Sequence, residues 1–188
     1  MPIFDSLLAP ILSIIDKVIP DKTAREKAKL ELLQLQGSQE MALIEARLSA
    51  IVAEAREWIG TRYRHQGALK GVGCDCLGLV RGVWRNCVGS EPEMPPAYAP
   101  DWAEASGIET LAEAATRHLV PVARDDIGGG DVLLFRWREG YVAKHAAIAT
   151  SEGTMIHAHD GAAVCEVALS PWWRRRLAYV FRFPGVTD

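Results

Sequence analysis

The chain is poor in the features that mark several protein classes. It has 4 cysteines in 188 residues, too few for a disulfide scaffold at this length. It has no run of eighteen apolar residues, so no membrane-spanning helix is expected. Lys and Arg total 21 against 24 Asp and Glu. That balance lacks the basic excess of a nucleic-acid binder, and no nucleic-acid partner is expected. Metal-ligand spacing is also missing. The only close Cys or His pairs, Cys74/Cys76 and His157/His159, are two residues apart rather than spaced as zinc ligands. No metal or other cofactor is expected. Nor does the start read as a secretory leader. Asp5 precedes the apolar stretch, Asp16 and Lys17 interrupt it, and no small-residue cleavage site follows. What remains is a chain of 49% hydrophobic and 24% charged residues, the balance of a globular protein with a core of its own.

The first 48 residues lack His, Cys, Trp and Tyr altogether. Apolar residues from Phe4 to Ile19 recur at helical spacing, with Pro10 as an expected kink and Pro20 as a stop. Thr23 and Glu26 have capping-box spacing for a second helix, with Gly37 as its weak point. This zone predicts a helical arm, residues 1–48, without chemistry.

Residues 49–188 hold every Trp, Tyr, His and Cys. A helix is expected over Ala50–Ile59, ended by Gly60. A glycine-rich loop through Gly67, Gly71 and Gly73 leads to Asp75 and a helix of about 12 residues, on one face of which fall Cys76, Leu79, Val80, Val83, Trp84 and Cys87. A Pro-rich loop is expected over Glu91–Trp102 and a short helix over Leu111–Leu119. Strands are expected at Val132–Phe135, His145–Thr150, Met155–His159, Val164–Val167 and Tyr179–Phe183, with turns between them. Helices followed by an antiparallel meander predict an α+β fold.

Asp75 is a suitable N-cap, which puts Cys76 in the first turn of its helix. Backbone N–H groups and the helix dipole there favour a thiolate, whereas Cys74 lies before the cap. Cys74, Cys87 and Cys165 read as small buried hydrophobes. A nucleophilic thiol needs a base, and the base needs an orienting partner. His65 reads as loop and His118 as surface helix. His145 opens an Ala-rich strand, and His157 and His159 share one face of the next, since strand side chains alternate. A hairpin through Ser151–Thr154 brings His145 to that face. A helix-borne Cys76 facing His145 and His157 is thus a physically reasonable constellation, beside the plainer reading of packed cysteines and partly buried histidines.

The segments Trp58-Ile59-Gly60-Thr61-Arg62-Tyr63, Asp75-Cys76-Leu77-Gly78-Leu79-Val80, Gly130-Asp131-Val132-Leu133-Leu134-Phe135, His145-Ala146-Ala147-Ile148 and Met155-Ile156-His157-Ala158 occur in an order that resembles the NlpC-type cell-wall peptidases, a branch of the papain-like cysteine peptidases. The helix Cys76–Trp84 and the segment Pro171-Trp172-Trp173-Arg174-Arg175-Arg176 look most like the phage-tail and gene-transfer-agent members. The resemblance implies a papain-like fold with Cys76 as nucleophile, His145 as general base and His157 as its orienting residue. It implies Tyr63 near the oxyanion position and Asp75 holding the peptide end of the substrate. The implied reaction is hydrolysis of peptidoglycan stem peptides, usually between γ-D-glutamyl and a diamino acid. Leu77 stands where many members carry serine. The implied partners are peptidoglycan and phage-like tail proteins, with synthesis in the cytoplasm and action at the cell wall. A non-catalytic tail or adaptor protein, and an acyltransferase or amidase on the same fold, are the alternatives.

Phe4 to Gln36 resembles the leading soluble part of the three-transmembrane holins of gene transfer agents, without the transmembrane segments. Such an arm is expected to pack on the catalytic domain or to self-associate; its apolar Ile3–Ile19 face would also suit a membrane surface.

Overall fold

The computed structural model describes residues 3–99 and 107–186. The chain divides into two compact units, Met1–Ala46 and Arg47–Thr187.

In the first unit, α1 (Ile3–Val18) keeps Pro10 inside one continuous helix, and α2 (Lys22–Arg56) begins after Pro20. The cap of α2 is Asp21 rather than Thr23. Its carboxylate accepts from the Ala24 N–H at 2.7 Å, satisfying a donor that the first turn leaves open. Asp16 closes the corner by pairing with Lys29 at 2.6 Å. Gly37 does not interrupt α2, nor does the expected junction at Leu48. The helix runs on to Arg56, and a turn replaces the helix expected through Ile59. No helix among the described residues is long and apolar enough to cross a membrane.

In the second unit, a two-stranded ribbon, β1 (Ala68–Leu69) with β2 (Gly73–Cys74), leads into α3 (Cys76–Cys87). After the Pro-rich segment come α4 (Thr110–His118), β3 (Val120–Pro121), β4 (Val132–Phe135), β5 (His145–Ala149), β6 (Thr154–His157), β7 (Cys165–Ala168), α5 (Pro171–Arg176) and β8 (Leu177–Arg182). The part of the expected loop at residues 100–102 lies outside the described residues. The α+β prediction holds, but the strands are not a simple meander. The sheet order is β3-β8-β4-β5-β6-β7, all antiparallel. β8 returns to pair with β4 instead of extending the sheet beyond β7. All four residues of β4 are inaccessible, so its backbone groups need a strand on either side, and β5 and β8 supply them.

Two glycines let α3 seat deeply. A Cβ on Gly82 would lie 1.9 Å from the ring of Trp58, which is 1% exposed. A Cβ on Gly78 would lie 1.8 Å from the carbonyl oxygen of Gly67. Gly78 thus admits the loop of Gly67 against the first turn of α3, next to Cys76.

Candidate active site

The sequence Asp75-Cys76 folds as its local chemistry predicts. Asp75 is the N-cap of α3, and its Oδ1 accepts from the Gly78 N–H at 2.8 Å. Cys76 is the first helical residue and is half-buried. Its Sγ lies 3.9 Å from the carbonyl oxygen of Lys144, and the backbone N–H of Ala146 also points at it. The thiol therefore meets the chain at the start of β5, at the two residues that flank His145.

The β5–β6 pairing matches Ile148 with Ile156 and Ala149 with Met155. Continued along the hairpin, this register sets His157 across from Ala147, whose methyl leaves room for two imidazoles. His145 Nε2 and His157 Nδ1 are 2.9 Å apart, and both residues are buried. His159, two residues on, is exposed, with Nδ1 2.8 Å from the Asp160 carbonyl oxygen. Cys76, His145 and His157 thus come together, while His65 sits beside Asp75, with Nδ1 3.9 Å from its Oδ2, and His118 lies elsewhere. His118 Nε2 is 3.2 Å from Glu93, half-buried rather than on open surface.

Burial governs the protonation of this cluster. It pushes the Cys76 thiol up to about 11, against the opposing pull of backbone N–H groups from Ala146, Leu77 and Cys76 itself. The helix start does favour a thiolate, but the expected depression does not prevail because β5 closes over the sulfur. His145 is lowered to about 3 by burial and then by His157 and His159. His157 is lowered to about 4 by burial and then by His159. At neutral pH the resting site is a thiol beside two neutral imidazoles.

Tyr63 lies close enough for the charges of Cys76 and Asp75 to act on it. Burial first, and those charges second, push its hydroxyl up to about 12, so it keeps its proton. Asp75 is 3% exposed. Its Oδ2 accepts from the Gln66 N–H at 2.7 Å and from the Tyr98 hydroxyl at 2.5 Å. Its carboxylate is thus engaged within the protein, joining the glycine-rich loop, the Pro-rich segment and the start of α3.

Sequence reading did not find the aromatic wall of the site. Trp173 stacks on His145 with ring centroids 5.5 Å apart and meets His157 edge-on at 5.3 Å. Trp137 lies 5.5 Å from His145, and Phe135 packs on Trp173 at 4.9 Å. The Trp172-Trp173 pair is visible as a motif, but nothing local in the sequence ties it to His145. The cysteine expectations also need correction. Cys74 is buried as expected, whereas Cys87 is exposed and Cys165 only half-buried. Cys87 ends α3, where the helix face has run out to solvent. An apolar cavity between α3 and α4, lined among others by Leu77, Trp84, Tyr98, Leu111 and Ala146, includes none of Cys76, His145 and His157 in its lining.

The chain matches the family model of the NlpC/P60 family over residues 60–182. Residues 5–64 match the model described as a holin of three transmembrane segments for gene-transfer release, a longer stretch than the Phe4–Gln36 reading. The γ-DL-glutamyl hydrolase of Bacillus subtilis (strain 168) is 28% identical over 138 residues, covering 73% of this chain and 30% of that protein. A protein of the NLP/P60 family from Staphylococcus aureus subsp. aureus Mu50, similar to lipoprotein, superposes with a TM-score of 0.53 at 21% identity, over 73% of this chain and 41% of its own. The NlpC/p60 domain of the peptidoglycan hydrolase SagA gives 0.50 at 26% identity, over 72% of this chain and 98% of that one. The chain therefore spans under a third of the curated relative, while nearly all of the SagA domain is represented in it. With the fold matched and the family model covering more than half of its length, this chain belongs to the NlpC/P60 family.

Proposed function

We propose that this chain is a cysteine peptidase that hydrolyses amide bonds in peptidoglycan stem peptides, with Cys76 as nucleophile, His145 as general base and acid, and His157 as its orienting partner. The observation that carries the reading is the meeting of the α3 terminus with β5: Cys76 Sγ lies against the backbone on either side of His145, and His145 Nε2 is held by His157.

The chemistry follows from that geometry. We assign to His145 the tautomer that donates Nε2–H to His157 Nδ1, 2.9 Å away, so that His145 Nδ1 accepts the thiol proton. Because the resting pair is neutral, the proton moves as sulfur attacks the carbonyl carbon. The Sγ–C bond forms and the carbonyl electrons move to oxygen. In this reading the Cys76 N–H and the Tyr63 hydroxyl donate to that oxygen. Collapse breaks the C–N bond, and the proton on His145 passes to the leaving amine. Water then attacks the thioester, gives a proton to His145, and releases the acid and the thiol. Asp75 supports this chemistry by capping α3; a contact with the peptide end of the substrate would have to share an already engaged carboxylate.

A γ-D-glutamyl acyl half is supported by the named activity of the Bacillus relative, and a cell-wall substrate by that of SagA. Delivery in a phage-like or gene-transfer-agent particle is supported by the holin-model match over residues 5–64. Digestion of defined muropeptides, with products identified by mass spectrometry, tests the reading. Wild type and Cys74→Ser should both release the γ-D-glutamyl product, and Cys76→Ala should release none. Equal product from Cys76→Ala would end the assignment.

A further inference from the structure

The general acid fixes the polarity of the cleft. His145 must hand its proton to the leaving nitrogen, so the amine half of the substrate lies on the His145 side of Cys76. The acyl half then lies toward Tyr63, whose surroundings include Asp75 and Asp160. The His145 side has a different character. Beyond Trp173, which covers His145, come Trp172 and Trp137, with centroids 4.8 Å and 6.0 Å from Trp173. Trp172 is 41% exposed although it sits beside a packed site.

A cation is fixed on the Trp172 indole and tied to the backbone of Trp137. The Arg176 guanidinium lies over the Trp172 ring, 3.8 Å from its centroid. Its Nε donates to the Trp137 carbonyl at 3.2 Å, and its Nη1 to the Trp172 carbonyl at 3.2 Å. Those carbonyls orient the guanidinium without neutralising it. Among the described residues it pairs with no carboxylate, whereas Arg56, Arg81, Arg85, Arg117, Arg136 and Arg182 each do. Its neighbours Arg174 and Arg175 on α5 are exposed and add charge of the same sign. A half-buried, pre-oriented and unneutralised guanidinium, reached from His145 through Trp137 and the Trp172–Trp173 pair, is a recognition element for a planar anion.

Resting on the endopeptidase reading above, we propose that Trp137, Trp172 and Arg176 form the leaving-group subsite and that Arg176 selects amines carrying a carboxylate. The indoles receive the aliphatic part of the leaving residue, and the guanidinium pairs with its carboxylate. No covalent step is added; the subsite raises the fraction of substrate whose nitrogen sits over His145.

The test uses the full chain and two synthetic peptides, L-Ala-γ-D-Glu-L-Lys ending in a free carboxylate and the same peptide ending in a carboxamide. Wild type is expected to favour the carboxylate in kcat/KM by on the order of tenfold, the worth of a partly exposed charged pair. In Arg176→Gln that ratio falls to about one, and in Arg176→Lys, which keeps charge without the planar fork, it lies between. The ratio is the readout, so a general loss of activity does not imitate it. A wild-type ratio of one, or a ratio unchanged in both variants, overturns the subsite. If wild type cleaves neither peptide, the endopeptidase reading fails separately. The subsite is then judged by calorimetric binding of lysine and lysinamide to the wild-type chain. Preference for the carboxylate that is lost in Arg176→Gln supports it, and equal or absent binding overturns it. Should circular dichroism show Arg176→Gln unfolded, Arg176→Lys decides: an unreduced preference counts against the proposal.

Discussion

His145 and His157 share one short contact, Nε2 to Nδ1 at 2.9 Å, and both imidazoles are neutral when the site is at rest. In the proposed mechanism the orienting histidine works only as an acceptor. Protonated at Nδ1, it would repel the very N–H it must hold. Burial prevents that by keeping His157 lowered to about 4. His157→Ala should therefore reduce kcat far more than it raises KM, by roughly 10² or more, because the His145 tautomer is lost while binding contacts remain. His157→Asn, which can present a carbonyl oxygen, should recover part of that loss. A KM effect alone would show that His157 contacts substrate rather than His145.

The same burial sets how the thiol reacts. With Cys76 pushed up to about 11, alkylation of the free enzyme by iodoacetamide should be slow near pH 6 and should climb steadily through pH 9. A resting thiolate–imidazolium pair would instead label fast at pH 6 with a flat profile above it. Rates of Cys76 carbamidomethylation, read by peptide mass spectrometry with Cys87 as the exposed internal reference, separate the two.

Neutral buried histidines also tie stability to pH. The unfolded chain takes up protons on these groups below about 6.5, whereas the folded chain resists to about 3 and about 4. Between those limits the unfolded state holds more protons, so stability is full above about pH 6.5 and is lost as pH falls. The loss approaches about 1.4 kcal/mol per pH unit for each histidine. Urea midpoints at pH 7 and pH 5, a range in which most carboxylates stay ionised, should drop in wild type. The drop should be about half as large in His157→Gln. An identical drop in both would assign the pH dependence elsewhere.

These three expectations rest on features of unequal visibility in the sequence. The Asp75 cap and the apolar face Leu79, Val80 and Val83 are local, so the helix that carries Cys76 is legible from Asp75 to Cys87. The histidine pair is legible because alternation and a short turn suffice to juxtapose His145 and His157. The return of β8 to β4 is not, since the need of a doubly buried strand for two neighbours does not say which strand supplies the second. Nor is the stacking of Trp173 on His145, or the bond from Tyr98 to Asp75, because no period links residues so far apart in the chain. The protonation of Cys76 departs from the local expectation for a related reason. The helix terminus is a local feature, whereas the strand that desolvates the sulfur is contributed by residues 144–146.

Gly78 makes the packing argument testable beside the site. An added methyl would fall 1.8 Å from the Gly67 carbonyl oxygen, which belongs to backbone and cannot swing aside. Gly78→Ala should cost about 1–3 kcal/mol in overpacking. It should also lower activity beyond the loss of folded protein, since the same loop hydrogen-bonds to the cap of α3 through the Gln66 N–H and Asp75. Specific activity normalised to the folded fraction, read by near-UV circular dichroism, separates the two effects. Full specific activity in a destabilised variant would confine Gly78 to packing.

Asp131 offers a test of the fold away from the chemistry. It is fully buried where the chain enters β4, and both carboxylate oxygens face Arg182 of β8, at 2.8 Å to Nε and 3.0 Å to Nη2. Its Oδ2 also accepts from the Gly128 N–H at 2.8 Å, closing the turn before the strand. The pair thus locks the β8–β4 crossover that sequence periodicity could not foresee. Removing one member strands the other charge in a site built for two. Asp131→Ala should cost about 3–5 kcal/mol, enough to leave much of the chain unfolded at 37 °C. Arg182 keeps partial access to solvent, so Arg182→Ala leaves a carboxylate buried more deeply than the guanidinium that Asp131→Ala leaves behind, and it should cost at least as much. The double replacement Asp131→Leu with Arg182→Met removes both charges and should recover a substantial part of either single loss. Chemical denaturation of the four proteins as a double-mutant cycle measures this. Strict additivity of the single losses would mean that the pair does not hold β8 against β4.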